Sequence, residues 1–333
     1  MNAEEAARNA LNYVLGAEEG ESIVILCDDE KMDVGKAFVR GAMNLGLQTR
    51  LTPLKTDRSS RKEIPEKVLA ILKEPADIYV NLMRGVGEEA PFRIGLIKLE
   101  TQSHKARLGH APGIMLDMLT KGALALTEAE HRRMQTFASD LVRRLSGAVR
   151  VEIKNPAGTD LSLSVEGRSF FTDAAIDRKT MKWLNLPTGE ITVAPVEDSA
   201  EGQLVCDMAV GGIGPLETPV TLTVRNGKVQ ASTSKDPSVL GRVNDSLKTD
   251  DNSSTIGEFA IGINPKARLG KEFLELEKIF GTIHVAFGNN SDFPGGRNPS
   301  RNHLDLLVSK PTVKAFTKDG SAINVLSEGT FQF

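Results

Sequence analysis

The apolar positions of this chain follow two rhythms, and the change between them divides it. Near the amino end, "EEAARNALNYVLG" repeats apolar residues at helical spacing up to Gly16. "ESIVILCDD" follows as an unbroken apolar run, the pattern of a strand covered on both faces in a parallel sheet. Residues 33–46, "DVGKAFVRGAMNLG", return to the helical period, with Asp33 as N-cap and Gly46 as C-cap. "LQTRLTPL" then reads as a strand, "RKEIPEKVLAILKEP" as a helix and "ADIYVNLM" as a third strand. Strand and helix alternating in this way predict a doubly wound α/β domain. Residues 121–147 predict one long helix that carries a Thr127-x-x-Glu130 capping box and stops at Gly147.

Beyond that point the rhythm changes. "VRVEIKNPAGTDLSLSVEGRSFFTD" alternates apolar and polar residues between turn signals, as an antiparallel sheet with one wet face requires. Short strands continue through "GEITVAP", "GQLVCDMAV", "VTLTVRNGKVQ", "GTIHVAFG" and "LDLLVSKPTVKAF", and Asn-Gly in "RNGKV" suits a type I′ hairpin. Helices are expected near "GKEFLELEKIF" and near 236–249. The expected organisation is a doubly wound α/β domain over 1–147 and a strand-rich α+β domain over 148–333.

Composition narrows the function more than the fold. In 333 residues, hydrophobic side chains make up 40% and charged ones 26%, which is ordinary for globular domains. The net charge of −3 provides no electrostatic footprint for nucleic acid or an anionic membrane. No apolar run approaches the ~20 residues of a bilayer span. The start, "MNAEEAARNA", is acidic and unlike a signal peptide. Cys27 and Cys206 have no CxxC partner, so a reduced cytoplasmic setting is expected. No GxGxxG follows the first strand, where "CDDEKMDVG" would repel a pyrophosphate, so a dinucleotide site is not expected.

The candidate chemistry lies in the second half. "RNHLDLL" puts His303 and Asp305 on alternate strand positions, hence on one face. "GTIHVAFG" brackets His284 with glycines, "LPTGEITVAP" starts a strand at Glu190, and "STIGEFAIGINP" places Glu258 after a glycine. Three carboxylates and two imidazoles suit zinc, manganese, cobalt or ferrous ions, and the surplus of acid suits two ions bridged by carboxylates. Each member also has a plain structural reading. Glu190 and Glu258 fit exposed acids beside turns, His284 a hydrogen-bonded core residue, and His303 with Asp305 an exposed polar face. His104 and His110 in "TQSHKARLGHAPG" read as loop residues, His131 in "EAEHRRMQ" as a helix-surface residue, and Asn289, Asn290 and Asp292 in "GNNSDFPGG" as turn-formers.

Taken in order, "NLPTGE … IGEFAIGINP … EKIFGTIHVAFGNN … GGRNPSRNHLDLL", together with "NPAGTDLSLSVEGR" at 155–168, resembles the thermophilic metallo-aminopeptidase family of the aminopeptidase T and aminopeptidase S type. The likeness covers about residues 145–333; the first domain shares only its architecture and a loose "SHKAR … PG" region. The resemblance implies a dinuclear site of zinc, cobalt or manganese held by Glu190, Glu258, His284, His303 and Asp305. It makes Glu258 the bridging or catalytic carboxylate and Asp305 a second bridge. It also implies a homodimer whose active sites face an enclosed space. Ser291 stands where that family has a tyrosine, which removes a phenol suited to stabilising an oxyanion. The chain is similar as well to 2,5-dihydroxypyridine dioxygenase. That likeness implies instead one Fe(II) held by His284, His303 and Asp305, with Glu190 and Glu258 outside the metal's immediate contacts. The leading expectation is a metal-dependent hydrolase, an aminopeptidase acting on peptides. The alternatives are a ring-cleaving dioxygenase acting on a small molecule, and a metal-binding homologue with weak peptidase activity.

Overall fold

A computed structural model describes residues 1–57, 59–103 and 105–333, and divides the chain into two compact units. His104 lies outside the described residues. The first unit comprises Met1–Gln135, Asp173–Thr188 and Lys266–Arg268; the second comprises Thr136–Thr172, Gly189–Pro265 and Leu269–Phe333. Residues 136–147 therefore pack with the second unit, while 173–188 return to the first.

In the first unit, β1 (Ser22–Asp28), β2 (Gln48–Leu54), β3 (Ile78–Met83), β4 (Arg107–Pro112) and β5 (Trp183–Asn185) form a parallel sheet in the order β2-β1-β3-β4-β5. The apolar runs are continuous because both faces are covered. Ile23, Ile25 and Cys27 of β1 join one buried cluster with Leu11, Phe38 and Val80. Val24 and Leu26 join the other, with Tyr79, Phe92 and Leu108. At the end of β1, where a phosphate-binding turn would stand, buried Asp28 instead accepts two hydrogen bonds from Arg61, at 2.6 and 2.8 Å. The long helix runs over Glu128–Leu145 rather than from residue 121. Its start is set by the capping box: the Thr127 amide donates to the Glu130 carboxylate at 2.8 Å, and the Glu130 amide donates to Thr127 Oγ1 at 3.3 Å.

The second unit holds an eight-stranded and a seven-stranded sheet, paired antiparallel throughout among the described residues. The Asn226–Gly227 hairpin has both residues at positive φ, 48° and 71°, as a type I′ turn demands. Asp236 caps the helix Pro237–Leu247 by accepting from the amides of Ser238 and Val239. The helix expected in "GKEFLELEKIF" is a single turn, Phe273–Leu276. The seven-stranded sheet carries β6 (Glu190–Val193), β7 (Ile256–Gly262), β8 (Ile283–Gly288) and β9 (His303–Val308) side by side, in the order β9-β8-β7-β6. Among the described residues no helix is long and apolar enough to cross a membrane, and Cys27 and Cys206 are both free and buried.

Candidate metal centre

Pairing register places every candidate on one face of the seven-stranded sheet. Directly opposed residues of antiparallel strands share a face. Glu258, Ala286 and Asp305 stand opposite one another across β7, β8 and β9. The next row contains Ala260, His284 and Leu307; Gly288 opposes His303, and Gly262 opposes Glu190. Alanine and glycine between the polar residues leave room for longer side chains to converge. The opposite face carries Phe259, Ile261, Val285, Phe287, Leu304 and Leu306, all buried, and it fixes which way the acids point.

A bulge aims the central acid. Register shifts between Ile256 and Glu258, so Ile256 faces the core side while Glu258, two residues on, faces the site. The inserted residue is Gly257, where an added Cβ would lie 2.7 Å from the Gly288 carbonyl oxygen. Gly262 serves a similar close approach: a Cβ there would meet the Ile279 carbonyl at 2.2 Å.

Glu258 lies between the two imidazoles. Its Oε2 is 3.0 Å from His303 Nε2 and its Oε1 is 3.5 Å from His284 Nε2. His303 Nε2 also lies 3.2 Å from Asp305 Oδ1, and His284 Nε2 lies 3.6 Å from Glu190 Oε2. His303 Nδ1 is 2.8 Å from the Asn289 carbonyl, which can only accept, so Nδ1 carries a proton and Nε2 is presented to the acids. Burial works to lower the His284 pKa, but the facing carboxylate of Glu258, with the charges of Glu190 and Glu277, outweighs it and raises the value to about 9. His303 is likewise raised well above its ordinary value, burial being outweighed by Asp305 and Glu258. Burial pushes the Glu258 carboxyl up, yet the two imidazoles hold it well below the usual carboxylate range.

The sequence pattern does not mark two further members. The one-turn helix Phe273–Leu276 packs Leu276 with Leu307 and Ala209, delivering the residues after it to the site face. Glu277 thereby forms a third cluster with His284 and Asp305, and burial raises its pKa. Lys278, fully buried, sets its ammonium 2.5 Å from Glu190 Oε1 and 3.0 Å from Glu277 Oε1. "EKIF", a Glu-Lys pair immediately before a glycine-bracketed strand, is the available signal. Replacing Lys278 with methionine should destabilise the metal-free protein by about 3–5 kcal/mol, because buried Glu277 and partly buried Glu190 lose the cation between them. Urea unfolding after chelation measures this, and an unchanged midpoint and slope would contradict it.

The donor set fits divalent cations. Glu190–Glu258–His284, Glu258–His303–Asp305 and Glu277–His284–Asp305 each offer three ligand atoms within 4.8 Å of one another. The 3.5 and 3.6 Å separations around His284 Nε2 exceed hydrogen-bond length. They match the ~3.4 Å expected between two donors each about 2.1 Å from one ion at a tetrahedral angle.

The remaining polar candidates lie elsewhere or act indirectly. His110 is not in a loop: it is buried within β4, and burial, aided by Arg93, lowers its pKa to about 3. His131 is not on a helix surface. It belongs to the buried stripe of Met134, Ala138, Leu141 and Leu145, spaced at three and four residues, and its ring lies 5.6 Å from Tyr13. Asp292 is a turn residue that accepts from Asn289 at 3.2 Å. Asn290 is more than that. Buried, it donates to Glu197 at 3.1 Å and accepts from the Asn298 amide at 2.7 Å. Asn298 in turn donates to the Gly288 carbonyl at 2.7 Å, so the segment carrying the Asn289 carbonyl is pinned to the end of β8.

Residues 127–331 match the family described as thermophilic metalloprotease (M29). No curated protein sequence matches the chain significantly. Among solved structures, AmpT from Thermus thermophilus superposes with a TM-score of 0.76 at 18% identity, over 100% of this chain and 99% of that one. The 2,5-dihydroxypyridine dioxygenase from Pseudomonas putida KT2440 superposes with a TM-score of 0.73, also at 18% identity, over 99% of this chain and 96% of the other. At that identity, both likenesses establish a shared fold.

Proposed function

Since this chain belongs to the thermophilic metalloprotease family, we propose that it is an aminopeptidase using two divalent ions held by Glu190, Glu258, His284, His303 and Asp305. The observation that carries the reading is the straddling Glu258, whose two oxygens address different imidazoles and belong to two different donor clusters. Bound there, the ions would lower the pKa of a shared water and polarise the scissile carbonyl. His303 is held in its tautomer by the Asn289 carbonyl, and Glu190 is fixed by Lys278. Glu258 is placed to accept the water's proton and pass it to the leaving amine. The acid surplus, Glu277 included, attracts a substrate's free amino group and so favours N-terminal cleavage.

Charge balance also supports two ions. Four carboxylates at the site carry about −4, while two divalent ions with the Lys278 ammonium carry about +5; one hydroxide would bring the buried site to neutrality. A lone Fe(II), as in a dioxygenase, would leave Glu190 and Glu258 with no metal to bind.

Elemental analysis of protein purified without oxygen, followed by a screen of aminoacyl-anilides, dipeptides and dihydroxy-aromatics, tests the reading. Two zinc, manganese or cobalt ions per chain with release of N-terminal residues are expected. A single oxygen-sensitive iron with ring cleavage would overturn it. The Ser291→Tyr variant should raise aminoacyl-anilide turnover by about tenfold, since one oxyanion donor is worth ~10²–10³ at best and Ser291 lies exposed in the turn after β8. A steady-state comparison with unchanged turnover would show that a phenol at this position has no part in the reaction.

A further inference from the structure

The centre is not equally accessible from all sides. The side chains of His284 and Glu258 are only 2% and 5% exposed, whereas that of His303 is 32% exposed. A substrate therefore meets the site on the His303 side. Two aromatic rings border that opening. Phe293 lies edge-on to the His303 ring, with centroids 6.0 Å apart and planes at 81°. Phe171 meets Phe293 at 5.7 Å. Register puts Phe171 on the site face as well: it opposes Thr192, which opposes Ala260, which opposes His284. Both phenylalanines are half-buried, so part of each ring is left for contact. The nearby cation, Arg168, is committed to Glu197 at 2.6 Å and to the Gly295 carbonyl, which leaves it engaged rather than available to an acidic side chain.

Building on the aminopeptidase reading, we infer that Phe171 and Phe293 form the wall receiving the side chain of the substrate's first residue, and that the substrates are peptides beginning with an apolar residue such as leucine or phenylalanine. The rings provide apolar area and edge-to-face contacts, and no charge to select an acidic or basic side chain. Phe293 also accounts for how a first residue could be positioned beside the ions, since the ring that packs its side chain is itself in contact with a candidate ligand.

The test uses the full-length, metal-loaded protein and two readouts. Calorimetry measures binding of free L-leucine, L-phenylalanine, L-glutamate and L-lysine, and kcat/KM is measured for the matching aminoacyl-anilides. Leucine and phenylalanine should bind at least about tenfold more tightly than glutamate or lysine. Phe293→Ala should cost about tenfold or more for the apolar pair, Phe293→Leu should restore most of it, and Phe171→Ala should act in the same direction. Metal content should stay at the wild-type level in all three variants. Phe293→Ala leaving apolar affinity within about twofold, or wild-type preference for glutamate or lysine, would overturn the wall while the aminopeptidase reading survived. A fully loaded protein that neither binds amino acids nor cleaves any aminoacyl compound would refute both.

Discussion

Glu258→Ala should reduce bound divalent metal from two ions per chain to one or none, and slow peptide hydrolysis by at least about a thousandfold. Glu258 is the carboxylate that reaches toward both imidazoles. Its oxygens face His284 at 3.5 Å and His303 at 3.0 Å, and it belongs to two of the three donor clusters. Losing it takes a donor from each proposed ion and removes the base suited to accept the water's proton. The variant should still fold, because the β7 residues that face the core, Phe259 and Ile261, are untouched and alanine is tolerated next to Ala286. In the metal-free state two raised imidazoles would lose a partner, so the apoprotein should also lose stability. Inductively coupled plasma analysis alongside leucyl-anilide turnover decides the matter. Two ions and full activity in the variant would remove Glu258 from the mechanism. Two ions with lost activity would leave it a base but not a bridge.

Much of the architecture can be read along the chain because burial is periodic. "SIVILCD" and "IYVNLM" are apolar almost without interruption because the parallel sheet is covered on both faces. A half-wet strand would break such a run with a polar residue at every second position. Asn-Gly at 226–227 announces its hairpin through the need for two positive φ values. Elsewhere local chemistry hides the fold. β5 is three residues long and joins the first sheet after a long excursion; a short strand has too few positions to show a period. His131 looks solvated because its neighbours Glu130, Arg132 and Arg133 are charged, yet its place in a three-four stripe commits it to the core.

The site divides in the same way. His303 and Asp305 are visible because a strand puts alternate residues on one side, and Glu190, Glu258 and His284 because each sits near a glycine that permits close backbone approach. Glu277 and Lys278 follow an apolar helix turn, where a charged pair usually marks a surface; only the packing of Leu276 with Leu307 turns them inward. The asparagines holding the Asn289 carbonyl are hidden for a related reason. Asn290 and Asn298 occur in a Gly-Pro-Ser-rich loop, and turn chemistry accounts for them equally well until their partners are seen.

The second large effect concerns pH. Without metal, His284 titrates at about 9 and His303 well above its ordinary value, so at neutral pH both imidazoles hold a proton on the nitrogen a metal would need. Metal binding must therefore displace protons from both imidazoles, and apparent affinity should rise with pH, by about tenfold per pH unit for each proton displaced. The rise should flatten once pH passes the His284 value of about 9. Stability of the apoprotein should move the opposite way. A histidine raised from 6.5 to about 9 stabilises fully below its unfolded value, and that contribution, about 3 kcal/mol for one such group, is lost as pH climbs toward the folded one. Glu258, depressed from 4.5, contributes fully above that value and less as pH falls through its folded pKa, so the metal-free protein should be most stable between 4.5 and 6.5. Loaded protein should lack the alkaline loss, since ions replace the protons as counter-charge. Zinc competition titrations across that pH range, with proton release read by calorimetry in two buffers, measure the effect. Release of fewer than one proton per chain would mean that the imidazoles face the acids already deprotonated, and that the electrostatic account of the centre is wrong.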